Sequence, residues 1–206
     1  TAYGDVYSLP STVNGFGTVG RESFISLLMP ITSKIQALLQ CKNKIVSQTD
    51  LRLTDDEREQ ANYRITVNYR ATQNLMLVHR FEMVQTSYEP SHVVERGLLT
   101  FVEGSFKSKK KDWNVKSRFI VFDTESYNAR LYQYESDVAG NVSNPPLYGK
   151  GIRWYVVGGY EFLTHWILSL KYSETKKLNE TVIGSGDDVI RGNLDNHLAV
   201  QLDFQF

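Results

Sequence analysis

The sequence predicts an all-β protein: an antiparallel transmembrane β-barrel of about nine or ten strands, read as the C-terminal part of a larger barrel. Three observations predict it. Apolar and polar residues alternate with period two along most of the chain, as in strands with two unlike faces. Short and long connections alternate between these stretches, like the periplasmic turns and extracellular loops of outer-membrane barrels. The final residues, HLAVQLDFQF, place Leu198, Val200, Leu202, Phe204 and Phe206 on one face and stop on phenylalanine.

Composition is compatible with this class. The 206 residues suit one domain. Lys plus Arg and Asp plus Glu each number 23, so the basic excess of a nucleic-acid-coating surface is missing and no nucleic-acid partner is expected. Twelve tyrosines beside only 5 prolines favour pleated structure. Cys41 is the single cysteine, which rules out an internal disulfide. The longest nearly apolar run, FISLLMPI, is far too short for a transmembrane helix, whereas a transmembrane strand needs only about 9–11 alternating residues.

The elements follow in order. Residues 1–20 carry Pro10, Asn14, Gly15, Gly17 and Gly20 and read as an extracellular loop or N-terminal remnant. Their GFGTVG matches a dinucleotide fingerprint, but no helix is expected after it, so a loop is the better reading. Residues 21–206 then read as outer-membrane barrel strands with short periplasmic turns and long extracellular loops. Strands are expected at 21–30 and 33–45, joined by PITS, with a short helix over SKIQALLQ as the alternative for the second. A long acidic loop follows, with Asp50, Asp55, Asp56, Glu57 and Glu59 as a solvated face rather than a cation site.

Strand 57–69 alternates Tyr63, Ile65, Val67 and Tyr69 with Arg64, Thr66, Asn68 and Arg70. Strands 74–87 and 91–106 come next, then 112–124 after KSKKK, with Trp113, Val115, Phe119 and Val121 on one face. Residues 125–149 form a long loop in which 126–137 could extend a strand. Strands 150–161 and 165–176 flank a short FLT turn. The 177–192 loop contains GSGDDVIRGN, which resembles a single calcium-binding nonapeptide turn. Such turns work by stacking, so Asp187 and Asp188 read as loop residues instead. The last strand is 193–206.

The faces of these strands give the candidate functional residues. Trp113, Phe162, Trp166 and Phe206 sit at strand ends beside the short turns, as an aromatic girdle at a membrane interface does. Arg64, Arg70, Lys116, Arg118, Arg153 and Lys171 occupy the alternate positions and are expected to face a wet lumen, since a dry core would penalise them. His79, His92, His165 and His197 lack ligand spacing, so neither a metal nor a cofactor is expected. Nothing marks a nucleophile elbow, and the chain is not expected to be an enzyme.

The stretches FDTESY (122–127), RLYQYE (130–135), YGKG (148–151) and IGSG (183–186) carry a family resemblance, strongest over 112–206. The chain resembles the C-terminal β-barrel region of the helix-hairpin-helix domain-containing outer-membrane proteins of Bacteroidetes-type Gram-negative bacteria. The resemblance implies a cell outer-membrane location and a barrel architecture, and no particular activity. The helix-hairpin-helix modules of that family have no counterpart in this sequence, so DNA binding is not carried over. The terminal strand also resembles the C-terminal signal of outer-membrane barrels. That implies recognition of Leu202, Phe204 and Phe206 by the barrel-assembly machinery. The function expected is a pore, transport or scaffold component, with the lipid bilayer and other outer-membrane proteins as partners. Two alternatives stand beside it. One is an outer-membrane enzyme using Asp123, Ser126 and His165. The other is a soluble lipocalin-like barrel with an apolar interior.

Overall fold

The computed structural model describes residues 2–11, 15–49, 55–89, 91–110, 112–163, 165–184 and 189–204. The period-two pattern becomes a meander of ten long strands: β1 (Ala2–Ser11), β2 (Gly15–Pro30), β3 (Ile35–Thr49), β4 (Asp55–Arg70), β5 (Leu75–Glu89), β6 (Val93–Lys107), β7 (Trp113–Thr124), β10 (Lys150–Leu163), β11 (Trp166–Lys177) and β14 (Leu194–Phe204). Every neighbouring pair is antiparallel. Two short ribbons interrupt the meander, β8 (Leu131–Tyr132) with β9 (Pro146–Leu147) and β12 (Val182–Ile183) with β13 (Ile190–Arg191).

The sheet is open. Its order runs β1 to β14 with those two strands as its edges, and among the described residues no ladder joins them. This overturns the expected closed transmembrane barrel. Alternation specifies two-faced strands and chain-order neighbours. Closure additionally requires tilt and shear that match the first strand to the last, which the pattern does not encode.

Other expectations also change. Residues 1–20 hold β1 and the start of β2 rather than a loop. Pro10 falls at the register shift between Leu9 and Ser11, on an edge strand, where a missing N–H is tolerated. SKIQALLQ enters β3 and is not helical. Most of the expected acidic loop is ladder, with Thr49 pairing with Asp55, while Asp50 lies outside the described residues. Asp187 and Asp188 also lie outside them.

Two of the tight turns use the same device. Thr32 Oγ1 accepts from the N–H groups of Lys34 and Ile35 at 3.2 and 3.0 Å, and Thr72 Oγ1 accepts from those of Asn74 and Leu75 at 3.2 and 3.0 Å. These turns lie at the same end of the sheet as Lys107, Trp113, Leu163 and Trp166. The long connections 125–149 and 178–193 leave from the other end.

The two faces differ in kind. The outer face exposes Ile25 and Leu27 on β2, Tyr63 and Ile65 on β4, Phe81 on β5, Val102 on β6, Phe119 and Val121 on β7, Leu168 and Leu170 on β11, and Leu198, Val200 and Leu202 on β14. The inner face is polar at many positions, and the 125–149 segment covers the part of it formed by β5, β6, β7, β10 and β11. An apolar cluster of Val84, Leu99, Phe101, Ile120 and Phe122 from the sheet packs there with Ala129, Leu131 and Leu147 from the segment. Full burial of such side chains is worth about 1.5–3 kcal/mol each.

Candidate functional site: the inner face and its covering segment

The segment leaves β7 through a single 3-10 turn at Tyr127–Ala129, capped by the Ser126 hydroxyl, which accepts from the Asn128 N–H at 3.1 Å. Leu131, Gln133 and Glu135 then alternate with the exposed Tyr132 and Tyr134, so one edge of the segment is buried against the sheet. Gly149, at φ 71°, turns the chain back into β10. Its N–H donates to Thr124 Oγ1 at 2.8 Å, and Lys177 Nζ donates to the Tyr148 carbonyl.

Successive segment residues engage successive strands. Gln133 donates to Glu82 Oε2 on β5 at 2.7 Å and accepts from Arg80 Nη1 at 3.2 Å. Glu82 also takes both prongs of Arg64, at 2.8 Å each, and the Asn62 amide at 2.9 Å. Arg118 on β7 donates to the Tyr134 carbonyl at 2.8 Å and to Glu103 Oε2 on β6 at 2.8 Å, and Glu103 also accepts from Tyr155 at 3.0 Å. Arg153 on β10 clasps Glu135 through two bonds of 2.6 and 2.9 Å and donates to Thr175 at 2.6 Å. Lys171 on β11 lies 3.4 Å from Glu135 and 2.8 Å from Asp137.

Apart from the partly exposed Arg64, these charges are dry. The Glu135 side chain is 0% exposed and that of Lys171 is 3% exposed. Buried ions are tolerable only when paired and hydrogen-bonded on their remaining positions, and the bidentate Arg153–Glu135 geometry meets that condition. Burial alone would raise the Asp137 carboxyl. The hydrogen bond from Lys171, the Val138 N–H and the Lys171 charge outweigh it and hold the carboxyl below its ordinary value.

Gly97 on β6 lets the segment approach. A Cβ there would collide with the Ala129 carbonyl and lie 2.9 Å from Val84 Cγ1 and 3.0 Å from Leu131 Cδ1. Gly97→Ala is therefore expected to destabilise segment docking by about 1–3 kcal/mol, the scale of core overpacking. Limited proteolysis should register this as faster cleavage within 125–149, and an unchanged cleavage rate would contradict it.

The sequence-selected residues divide into three groups. Arg64, Lys116, Arg118, Arg153 and Lys171 all project from the inner face, each within ion-pair distance of a carboxylate. Trp113 and Phe162 are exposed and Trp166 is half-buried. All three lie at the short-turn end, where the Trp166 ring meets Phe204 at 5.0 Å. Leu202 and Phe204 are exposed on β14, and Phe206 lies outside the described residues. Asp123 and Ser126 sit at the opposite end of the sheet from His165, so the enzyme alternative has no assembled cluster. Among the described residues no group of three or more His, Cys, Asp or Glu side chains could hold a metal.

Sequence reasoning missed the partner carboxylates Glu82, Glu103, Glu135 and Asp137. A signal existed: Gln133, Glu135 and Asp137 alternate within the segment as strictly as any strand does.

The fold and site define a class: an open antiparallel meander with an apolar outer face and a segment-filled, charged inner face. No known family matches the chain, and no curated protein matches it. It is similar to a solved structure of the NanC porin in a rhombohedral crystal form, at 10% identity and a TM-score of 0.40, over 100% of this chain and 99% of that one.

Proposed function

We propose that this chain is an outer-membrane transport or scaffold component that works with the outer face of its sheet against lipid. The observation that carries this reading is the inversion of its faces. Water-soluble monomers rarely present so continuous an apolar surface. Here it extends from β2 to β14, while ion pairs are sequestered inside. A lipocalin-like binder would have the opposite arrangement. The apolar stretch from Trp113 to Val121 on β7 runs roughly 27 Å along the strand. That is on the scale of the ~25 Å apolar belt of outer-membrane strands. Beyond it the outer face turns polar, at the Lys150–Asp123 pair of 2.9 Å.

The filled inner face favours a scaffold or a controlled path over a wide aqueous pore. The family resemblance over 112–206 is compatible with the same location. The Leu202–Phe204 row on edge strand β14, followed in the sequence by Phe206, is a fitting signal for the barrel-assembly machinery, since an edge strand offers backbone groups for pairing.

All three tryptophans provide a test. Trp113, Trp154 and Trp166 occupy outer-face positions, in register with Tyr160, Phe119 and Phe204 respectively. In vesicles containing brominated phospholipid their fluorescence is expected to be strongly quenched. Unquenched emission, or recovery of the intact protein as a detergent-free soluble monomer, would overturn the reading.

A further inference from the structure

One place on the apolar outer face is hollow. Gly158 on β10 has no side chain, whereas its outward neighbours along the strand are Val156 and Tyr160, and its ladder partners are Val115 on β7 and Leu170 on β11. The gap opens a notch of about 530 Å³ walled by Trp113, Val115, Val156, Tyr160, Leu168 and Leu170. The Phe106 ring packs 5.0 Å from that of Trp113 and supports this wall from β6. A Cβ at Gly158 would be pressed to 3.0 Å from the Asn114 carbonyl oxygen, so the floor of the notch favours glycine.

The notch ends at a cationic turn. Residues 107–111, KSKKK, carry four lysines and lead through Asp112 into Trp113. Buried Ser108 holds the turn. Its Oγ accepts from the N–H groups of Asp112 and Trp113 at 3.1 and 3.4 Å and donates to the Asp112 carboxylate, while its own N–H donates to the Trp113 carbonyl at 2.9 Å. Lys109 and Lys110 are left exposed at the tip. Lys110 is offset by Asp112, and Lys109 has no ion pair among the described residues. Glu161, the other carboxylate beside the turn, alternates with Tyr160 and so belongs to the inner side of the sheet.

We infer that the notch binds an acyl chain of an anionic phospholipid whose headgroup phosphate meets Lys109 and Lys110. The inference rests on the reading that the outer face meets lipid. Charge complementarity selects the occupant. A neutral apolar partner would leave Lys109 unused, while an anionic amphiphile satisfies the apolar wall and the charged rim at once. The order of groups along the strand matches such a molecule: lysines at the turn, then Trp113 and Tyr160, whose rings suit a membrane interface, then aliphatic side chains. From Trp113 to Ser117, the partner of Val156, the notch runs roughly 13 Å along β7, room for a stretch of acyl chain whose buried methylenes each add affinity.

A chain whose only tryptophan is Trp113, carrying Trp154→Phe and Trp166→Phe, tests this in phosphatidylcholine vesicles doped with one brominated lipid at a time. Brominated phosphatidylglycerol is expected to quench Trp113 about fivefold more effectively than brominated phosphatidylcholine, the effect of one lysine near an anionic headgroup. The preference should shrink as salt is added. Lys109→Gln with Lys110→Gln should bring the two lipids to parity, while continued quenching by phosphatidylcholine reports that the variant is still inserted. Leu170→Phe, which fills the notch from its wall and leaves the turn intact, should at least halve the preference. Equal quenching by the two lipids in the parent would overturn the site and leave the membrane reading standing, and no quenching by either would overturn both. A full preference in the lysine variant would remove the headgroup contact, and a full preference in Leu170→Phe would remove the notch, so either result also overturns the assignment.

Discussion

Glu135→Ala is expected to destabilise the protein by about 3–5 kcal/mol, the cost of breaking a buried ion pair by removing one partner. Glu135 accepts two bonds from Arg153 and faces Lys171 at 3.4 Å, with its own side chain 0% exposed. The substitution leaves two buried cations sharing only Asp137 and the Thr175 hydroxyl nearby. Most of the loss is then the desolvation of those cations, and not the worth of the lost bonds. The double variant Glu135→Ala with Arg153→Met should recover part of it, because one stranded charge is removed along with its partner. Urea unfolding of the two variants beside the parent measures the difference. A loss under about 1 kcal/mol for Glu135→Ala, the scale of an exposed pair, would show that these groups are wetter than the structure places them.

The second large effect belongs to the outer face. In a bilayer, Leu168→Arg is expected to cost about 2–4 kcal/mol, the range for a cation on a lipid-facing strand near the midplane. Ser169→Arg, one residue on, should cost far less. Ser169 points to the inner face, where Lys171 and its carboxylates already supply a polar setting. Leu168 is exposed among Tyr160 and Leu202, its ladder neighbours. Refolding titrations in lipid vesicles compare the two. Equal costs would mean that the outer surface does not meet lipid, and a larger cost at Ser169 would reverse the assignment of faces.

The sequence displayed the strands plainly because each long strand separates unlike residues onto its two faces. From β3 through β14 most strand ends fall within about two residues of the alternation limits, the usual latitude of such boundaries. β1 was hidden because Pro10 and the nearby glycines resemble loop punctuation, and the tolerance of an edge strand for proline is visible only once the edge is known. The inner-face cations were legible at single positions, since Arg64, Arg118 and Arg153 each interrupt an otherwise apolar neighbourhood. Their partners were not. Arg153 meets Glu135 on a segment whose alternation marks Gln133, Glu135 and Asp137 as one face, but nothing local shows which strand each of them meets. The two edges were equally silent, because closure or openness depends on strand tilt and stagger and not on which residues alternate.

The covering segment also has a consequence in time. Its anchors come from Glu82 on β5, Arg118 on β7, Arg153 on β10 and Lys171 on β11. No single hairpin offers more than part of that set. Non-local contacts reward the chain only after the intervening loops have closed, so the segment has nothing complete to bind until those strands stand side by side. Its docking is therefore a late event that registers whether the middle of the sheet has been assembled in the right order. A strand out of register by one residue would turn its inner charge outward and leave the clasp empty. The segment thus acts as a built-in inspector of the sheet, closing over a correctly laid face and staying loose over a faulty one.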